Sequence, residues 1–264
     1  ELLQRLQAGA GTPLLDTLDR GHADARAAGR HASLRQVMQW SWRQLKPAPA
    51  ALLQAMTVLA TPARFETVAA AGGFDRATTQ ALLQDLIDAS LVQSRDDGRG
   101  VMRHGLLQPV REFAAESLPP ARAAAARAGV RTWLIEQAPA LLAAGPVAFE
   151  PELDTVFAGI VGAVADGVPL QAAQIAVALK RHWSLDAVES MPVTVMQALD
   201  QAAAAPDLGD VLRSELLELL AQVRGLAGFM REAAVHADQA LACASDDRQR
   251  SLAQTRRAWV HLLA

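Results

Sequence analysis

The chain has 264 residues, 51% of them hydrophobic and only 4% aromatic, with no tyrosine and a formal net charge of −3. That balance leaves no basic footprint for nucleic acid or an anionic membrane, and a single cysteine, Cys243, excludes an internal disulfide framework and fits a reducing, cytoplasmic compartment. No apolar run approaches the roughly 20 residues that a membrane span needs, and the alanine-rich composition without long alternating β-branched runs predicts a mostly α protein.

Glu1–Gln7 reads as a short amphipathic helix closed by Gly9 and Gly11; a chain already helical at its first residue is expected to be a piece of a longer polypeptide. Thr12–Gly29 is polar and mixed, a linker or an irregular helix. Ser33 is a candidate N-cap, after which Leu34, Val37, Met38, Trp42 and Leu45 recur at helical spacing. Pro47 and Pro49 end that helix and open another over Ala50–Leu59. Pro62 breaks the chain again, and Phe65–Ala71 is a short helix closed by Gly72-Gly73. Asp75 can cap a helix over Thr78–Ala89 with Leu82, Leu83, Leu86 and Ile87 inward. The period then changes. Leu91–Arg95 and Gly100–His104 flank Asp96-Asp97-Gly98, a hairpin signal. Leu106, Leu107, Val110, Phe113, Ala114 and Leu118 return to helical period, with Pro109 in the first turn and Pro119-Pro120 closing the segment. Helices, a small β-hairpin and a further helix in that order predict a winged-helix module over residues 33–118, preceded by residues 1–32 as the end of a helical subdomain or a linker.

From 119 to 264 the pattern is helical throughout, with Gly or Pro between segments: Ala121–Ala138, Glu152–Ala165, Leu170–Ser184, Pro192–Ala204, Val211–Ala227, Met230–Ala244 and Arg248–Leu263. Serial helices of this length predict a repeat array. In Leu220–Ala242 the small residues Ala233, Ala234 and Ala240 allow the close helix approach of a tetratricopeptide-like pair; an ordinary alanine-rich helical hairpin is the alternative reading.

No constellation points to catalysis or to a metal. His22, His31 and Asp24 fit no ligand spacing, Ser33, Ser41 and Ser90 lack a nucleophile-elbow context, and Asp96-Asp97 and Asp246-Asp247 read as turn and cap residues. Lys46 and Lys180 are the only lysines and neither follows a glycine-rich phosphate loop. His182, His236 and His261 read as surface or groove residues, Cys243 as a buried helix residue, and most of the five tryptophans as core anchors. In the helix before the wing, Arg76 faces Asp75, Asp85 and Asp88, which repels phosphate.

Two blocks carry a family resemblance. The first is His31-Ala32-Ser33-Leu34-Arg35 with Trp40-Ser41-Trp42 and Leu45; the second is Leu106-Leu107 with Val110-Arg111-Glu112-Phe113-Ala114. They resemble the winged helix of STAND-class (AP-ATPase/NB-ARC-like) bacterial ATPases and transcriptional regulators, and Ala172–Trp183 is similar to the start of the tetratricopeptide-like superhelix that comes after it. The chain departs from the family at Gln108-Pro109, where Glu-Thr is common. The resemblance implies a non-enzymatic regulatory fragment without a cofactor of its own, ATP or ADP being held by an ATPase core outside this chain. It implies as partners that core and an effector or protein on the helical repeats; the charge balance, the acidic helix before the wing and the short apolar runs argue against nucleic acid or a membrane as a partner of this fragment. A DNA-binding winged-helix regulator is the alternative. The resemblance also singles out His104, because related ATPases carry near this place a histidine that reaches the bound diphosphate. Here the motif is Met102-Arg103-His104-Gly105, without the aspartate of the usual Met-His-Asp.

Overall fold

A computed structural model describes residues 40–144 and 146–263. The predicted helix at Glu1–Gln7, the segment Thr12–Gly29, His22, His31 and the first block before Trp40 lie outside the described residues. The chain forms two compact units, one extending to Ala126 and one from Arg127 on.

In the first unit, residues 40–44 are helical, and Trp42 meets Phe113 edge to face, ring centroids 5.8 Å apart. Helix α1 (Pro47–Met56) begins three residues before the predicted Ala50. Prolines fit throughout a first turn, whose N–H groups have no intrahelical acceptor. Leu52, Leu53 and Met56 of α1 are fully buried against α2 (Phe65–Gly72) and α3 (Arg76–Asp88). Gly73 ends α2 at φ +70°, the left-handed conformation that favours glycine. Asp75 caps α3, its carboxylate accepting from the Thr78 amide at 2.9 Å, and Leu82, Leu83 and Leu86 turn inward while Ile87 is half-buried at the edge of that face.

The predicted hairpin is present as β2 (Gln93–Asp96) and β3 (Met102–Gly105), and a third strand, β1 (Ala63–Arg64), joins it to give the antiparallel order β1-β3-β2. Leu106 and Leu107, expected in the next helix, precede it: α4 spans Gln108–Glu116, and Leu107 is its extended N-cap. Two polar networks tie α4 and the segment after it to α1. The Arg111 guanidinium donates from Nη1 to the carbonyls of Thr57, at 3.0 Å, and of Leu59. The Gln54 amide donates to the Ser117 carbonyl at 2.8 Å and accepts from Arg122 at 2.7 Å. Arg122 lies on α5 (Pro120–Glu136), the helix within which the division between units falls.

The second unit is helical throughout its described residues. Short helical turns at Ala138–Leu141, Leu142–Ala144, Pro146–Phe149 and Glu150–Glu152 lead into α6 (Leu153–Ala165) and α7 (Pro169–Ala178). A one-turn α8 (Leu185–Glu189), which the sequence did not suggest, precedes α9 (Val193–Ala203), α10 (Asp210–Leu226), α11 (Met230–Cys243) and α12 (Asp247–Leu263). Packing is between near neighbours in the chain: α6 on α7 and α9, α7 on α9 and α10, α10 on α11 and α12, α11 on α12. On α11 the packed face is made of alanine: Ala233, Ala237 and Ala240 are fully buried. At the α10–α12 crossing Gly225 leaves room for Trp259: a Cβ on Gly225 would lie 2.6 Å from the indole.

Two features anchor the early part of this unit. Phe149 is buried between His182, stacked at 5.0 Å, and Trp183, edge-on at 6.1 Å, while Phe157 stacks on the other side of Trp183. Asp166, in the turn after α6, accepts from Arg127 at 2.9 and 3.0 Å and from Arg131 at 2.8 Å; these bonds, Arg127's first, hold its carboxyl below the usual aspartate value.

Candidate functional site

A winged helix offers two elements to a partner, the helix before the hairpin and the hairpin itself. The outward residues of α3 are Arg76, Ala77, Gln80, Ala81, Gln84, Asp85 and Asp88. Arg76, the one basic group among them, is drawn to α2: it lies 3.5 Å from Glu66 and its guanidinium sits 5.0 Å over the Phe65 ring. Gln84 donates to Asp88 at 2.7 Å. The face therefore sets two carboxylates, Asp85 and Asp88, against one arginine whose side chain is 77% exposed beside Glu66.

The hairpin tip is built by its two aspartates. Asp96 accepts from the Gly98 amide at 2.7 Å, and Asp97 accepts from the amides of Arg99 at 2.9 Å and Val101 at 3.2 Å. The Arg99 amide is the main cause of the low Asp97 carboxyl pKa. Gly98 and Gly100, at φ +78° and +81°, let the chain turn between them. The sheet carries an arginine row in register, Arg64 opposite Arg103 opposite Arg95. Arg64 and Arg103 are buried, and Arg103 pairs with Asp97 at 3.3 Å, so only Arg95 of that row is exposed, near the exposed Arg99.

His104 lies on the other side of the central strand, between Ala63 and Ser94. Its ring is half-buried, and Nδ1 is 2.8 Å from the Ser94 hydroxyl. Burial lowers its pKa, opposed by the nearby Glu66 carboxylate. When the Ser94 hydroxyl donates to Nδ1, the imidazole proton sits on Nε2, the tautomer that can donate to an anion.

Of the other residues singled out in the sequence, His182 is buried against Phe149 rather than at the surface, because the three-residue turn at Lys180–His182 folds it into the aromatic cluster. Cys243 is half-buried rather than buried, since the inward face of α11 is already filled by Ala233, Ala237 and Ala240. Trp133 and Trp183 are core residues, whereas Trp40 is 65% exposed. No His/Cys/Asp/Glu cluster suited to a metal is present among the described residues, and no helix among them is long and apolar enough to cross a membrane.

Residues 45–119 match the family model described as a winged helix-turn-helix domain. No curated protein and no solved structure matches the chain. The match agrees with the helix, sheet and helix order of the first unit and does not extend to the helices beyond residue 119.

Three histidines share one titration consequence. Burial is the main cause of a lowered pKa at His104, His182 and His236, reinforced by Arg181 at His182 and by Arg224 at His236. The unfolded chain then takes up protons at a higher pH than the folded one, so stability is complete above pH 6.5 and falls as the pH drops from there through the folded values. The urea midpoint should decrease between pH 7.5 and 5, before Asp97 or Asp166 begins to protonate. A midpoint constant over that interval would show that the histidines are not held neutral by the fold.

Proposed function

We propose that this chain is a regulatory, non-catalytic part of a multidomain signal-transduction ATPase or transcriptional regulator of the STAND class. The winged helix docks on the nucleotide-binding core of the same protein, and the helical unit, read as a tetratricopeptide-like array, receives an effector or a partner protein. The observation that carries the reading is the outer face of α3, where Asp85 and Asp88 face outward and the one arginine, Arg76, lies beside the Glu66 carboxylate, so the local charge is acidic. Close approach to a phosphate backbone is unfavourable there, whereas docking onto a basic protein surface is not. In this reading His104 donates toward a diphosphate bound by that core, a role supported by the Ser94 hydroxyl 2.8 Å from its Nδ1, which leaves Nε2 to carry the proton. An effector that binds one arrangement of core and winged helix better than another shifts the balance between them by its difference in affinity.

DNA binding through the wing is the second reading, favoured by the exposed Arg95 and Arg99. A mobility-shift assay with random duplex at 50 mM salt separates the two, because non-specific DNA binders already reach Kd values of about 10⁻⁴ to 10⁻⁶ M at physiological salt. The docking reading expects no shift. A salt-sensitive shift abolished by Arg95→Ala with Arg99→Ala would overturn it. Calorimetric titration with ATP and ADP is expected to give no binding to this chain, and tight binding would contradict the assignment of the nucleotide site to a separate core.

A further inference from the structure

A cavity of about 690 Å³ opens between α9, α10 and α11, within the size range of small-molecule sites. Its walls combine an apolar part, including Leu217 and Val235, with Asp200 from α9, Arg213 and Arg224 from α10, and Arg231, Glu232 and His236 from α11. Arg224 donates from Nη2 to Asp200 Oδ2, and His236 Nε2 stands 3.8 Å from the other carboxylate oxygen. Arg213 is engaged through Nη2 with the carbonyls of Ala205 and Leu208, at 2.7 and 3.1 Å.

The pairing is incomplete. Asp200 Oδ1, Arg213 Nε, Arg224 Nε and His236 Nδ1 are buried with no hydrogen-bond partner in the protein, four unmatched polar atoms from three helices around one cavity. A buried polar group without a partner is costly and calls for an explanation, and four of them on the residues around one cavity point to a bond supplied from outside the protein. Charge gives the sign of that supply. Three arginines oppose two carboxylates around the cavity, which leaves one positive charge with His236 neutral. The apolar wall excludes a ligand that is polar all round.

From this we infer that the cavity binds a small organic monoanion, a carboxylate on an apolar body, which takes the place of Asp200 on Arg224 while its body lies against Leu217 and Val235. Asp200 is then an internal stand-in: its carboxylate occupies the guanidinium until a ligand carboxylate exchanges with it, and Arg231 at the rim adds a second, exposed cation to guide entry. The assignment deepens the effector-binding reading of the helical unit and rests on it for its biological meaning. The binding itself is measured on this chain alone, so a missing site and a wrong regulatory role are separately detectable.

The test is calorimetric and NMR titration of the whole chain with benzoate and hexanoate, using benzyl alcohol and hexan-1-ol as uncharged counterparts. Saturable binding of at least one carboxylate and none of its alcohol is expected. Arg224→Gln should weaken binding by about tenfold or more, the loss of a charge-assisted bond. Asp200→Asn removes the competing carboxylate and should tighten it. Arg231→Gln, at an exposed position where folding is not at stake, should weaken it, and Asp247→Asn, a fully exposed charge on α12 outside the cavity, should leave it unchanged. Failure of both carboxylates to bind, equal binding of acid and alcohol, or equal tightening by Asp200→Asn and Asp247→Asn would overturn the assignment.

Discussion

Replacing Arg111 with methionine should lower the unfolding free energy of the winged-helix unit by about 2–4 kcal/mol, the range for losing charge-assisted bonds and leaving their acceptors unmatched. Arg111 reaches from α4 to the chain leaving α1, where its Nη1 serves the carbonyls of both Thr57 and Leu59. Those carbonyls lie just past the last turn of α1 and have no further helix to donate to them. Burial lowers the arginine pKa without neutralising it. Methionine keeps the apolar stem and removes every donor, so the loss is electrostatic rather than steric. Lysine should recover only part of it, because one ammonium lacks the planar fork that serves two carbonyls. Urea titration followed by circular dichroism would measure the effect, and a loss below about 0.5 kcal/mol, the ordinary range for surface changes, would show that the bonds are not structural.

Phe149→Ala should be more damaging still, at about 3–5 kcal/mol for a phenylalanine truncated in a core. The ring is 2% exposed and touches two aromatic neighbours, His182 and Trp183, in stacked and edge-on geometries. Each such pair adds about 0.5–1.5 kcal/mol beyond the area it buries. Trp183 is itself pinned, its indole N–H donating to the Ala176 carbonyl at 3.0 Å, so the cavity left by the missing ring cannot be closed by moving the indole. Near-UV circular dichroism should lose part of its aromatic signal along with the drop in stability. Phe149→Leu should cost less than half as much. Equal effects of alanine and leucine would mean that the cluster is held from elsewhere.

The helical periods and the hairpin were legible because each rests on local chemistry. Asp75 and Gly73 punctuate α2 and α3 as their types dictate, and Asp96-Asp97-Gly98 turns as such residues do. Strand β1 was not legible: two residues carry no alternation, and Ala63–Arg64 is a strand only because β3 lies beside it. Arg111 could be quoted as part of a motif without its task being visible, since its acceptors are backbone carbonyls 52 and 54 residues away and any residue has those. His104 could be placed on the wing from the sequence, but not its bond to Ser94, which depends on strand register. The cavity in the helical unit was half legible. Glu232, His236, Gln239 and Cys243 share a stripe at three- to four-residue spacing on α11, yet Asp200 and Arg224 join them only through the packing of separate helices.

Because the helices from α6 to α12 pack on those one to three places further along the chain, disturbance in this unit should spread by proximity in the chain and fade with distance along it. The rings around Phe149 and the carboxylate–guanidinium pair of Asp200 and Arg224 belong to different neighbourhoods, joined by α6, which carries Phe157 and packs on the Asp200 helix, and by α10. A guest seated against α11 therefore has two routes to the aromatic cluster, one through α9 onto α6 and α7 and one through α10, whose Gln222 donates to the Trp183 carbonyl at 3.3 Å.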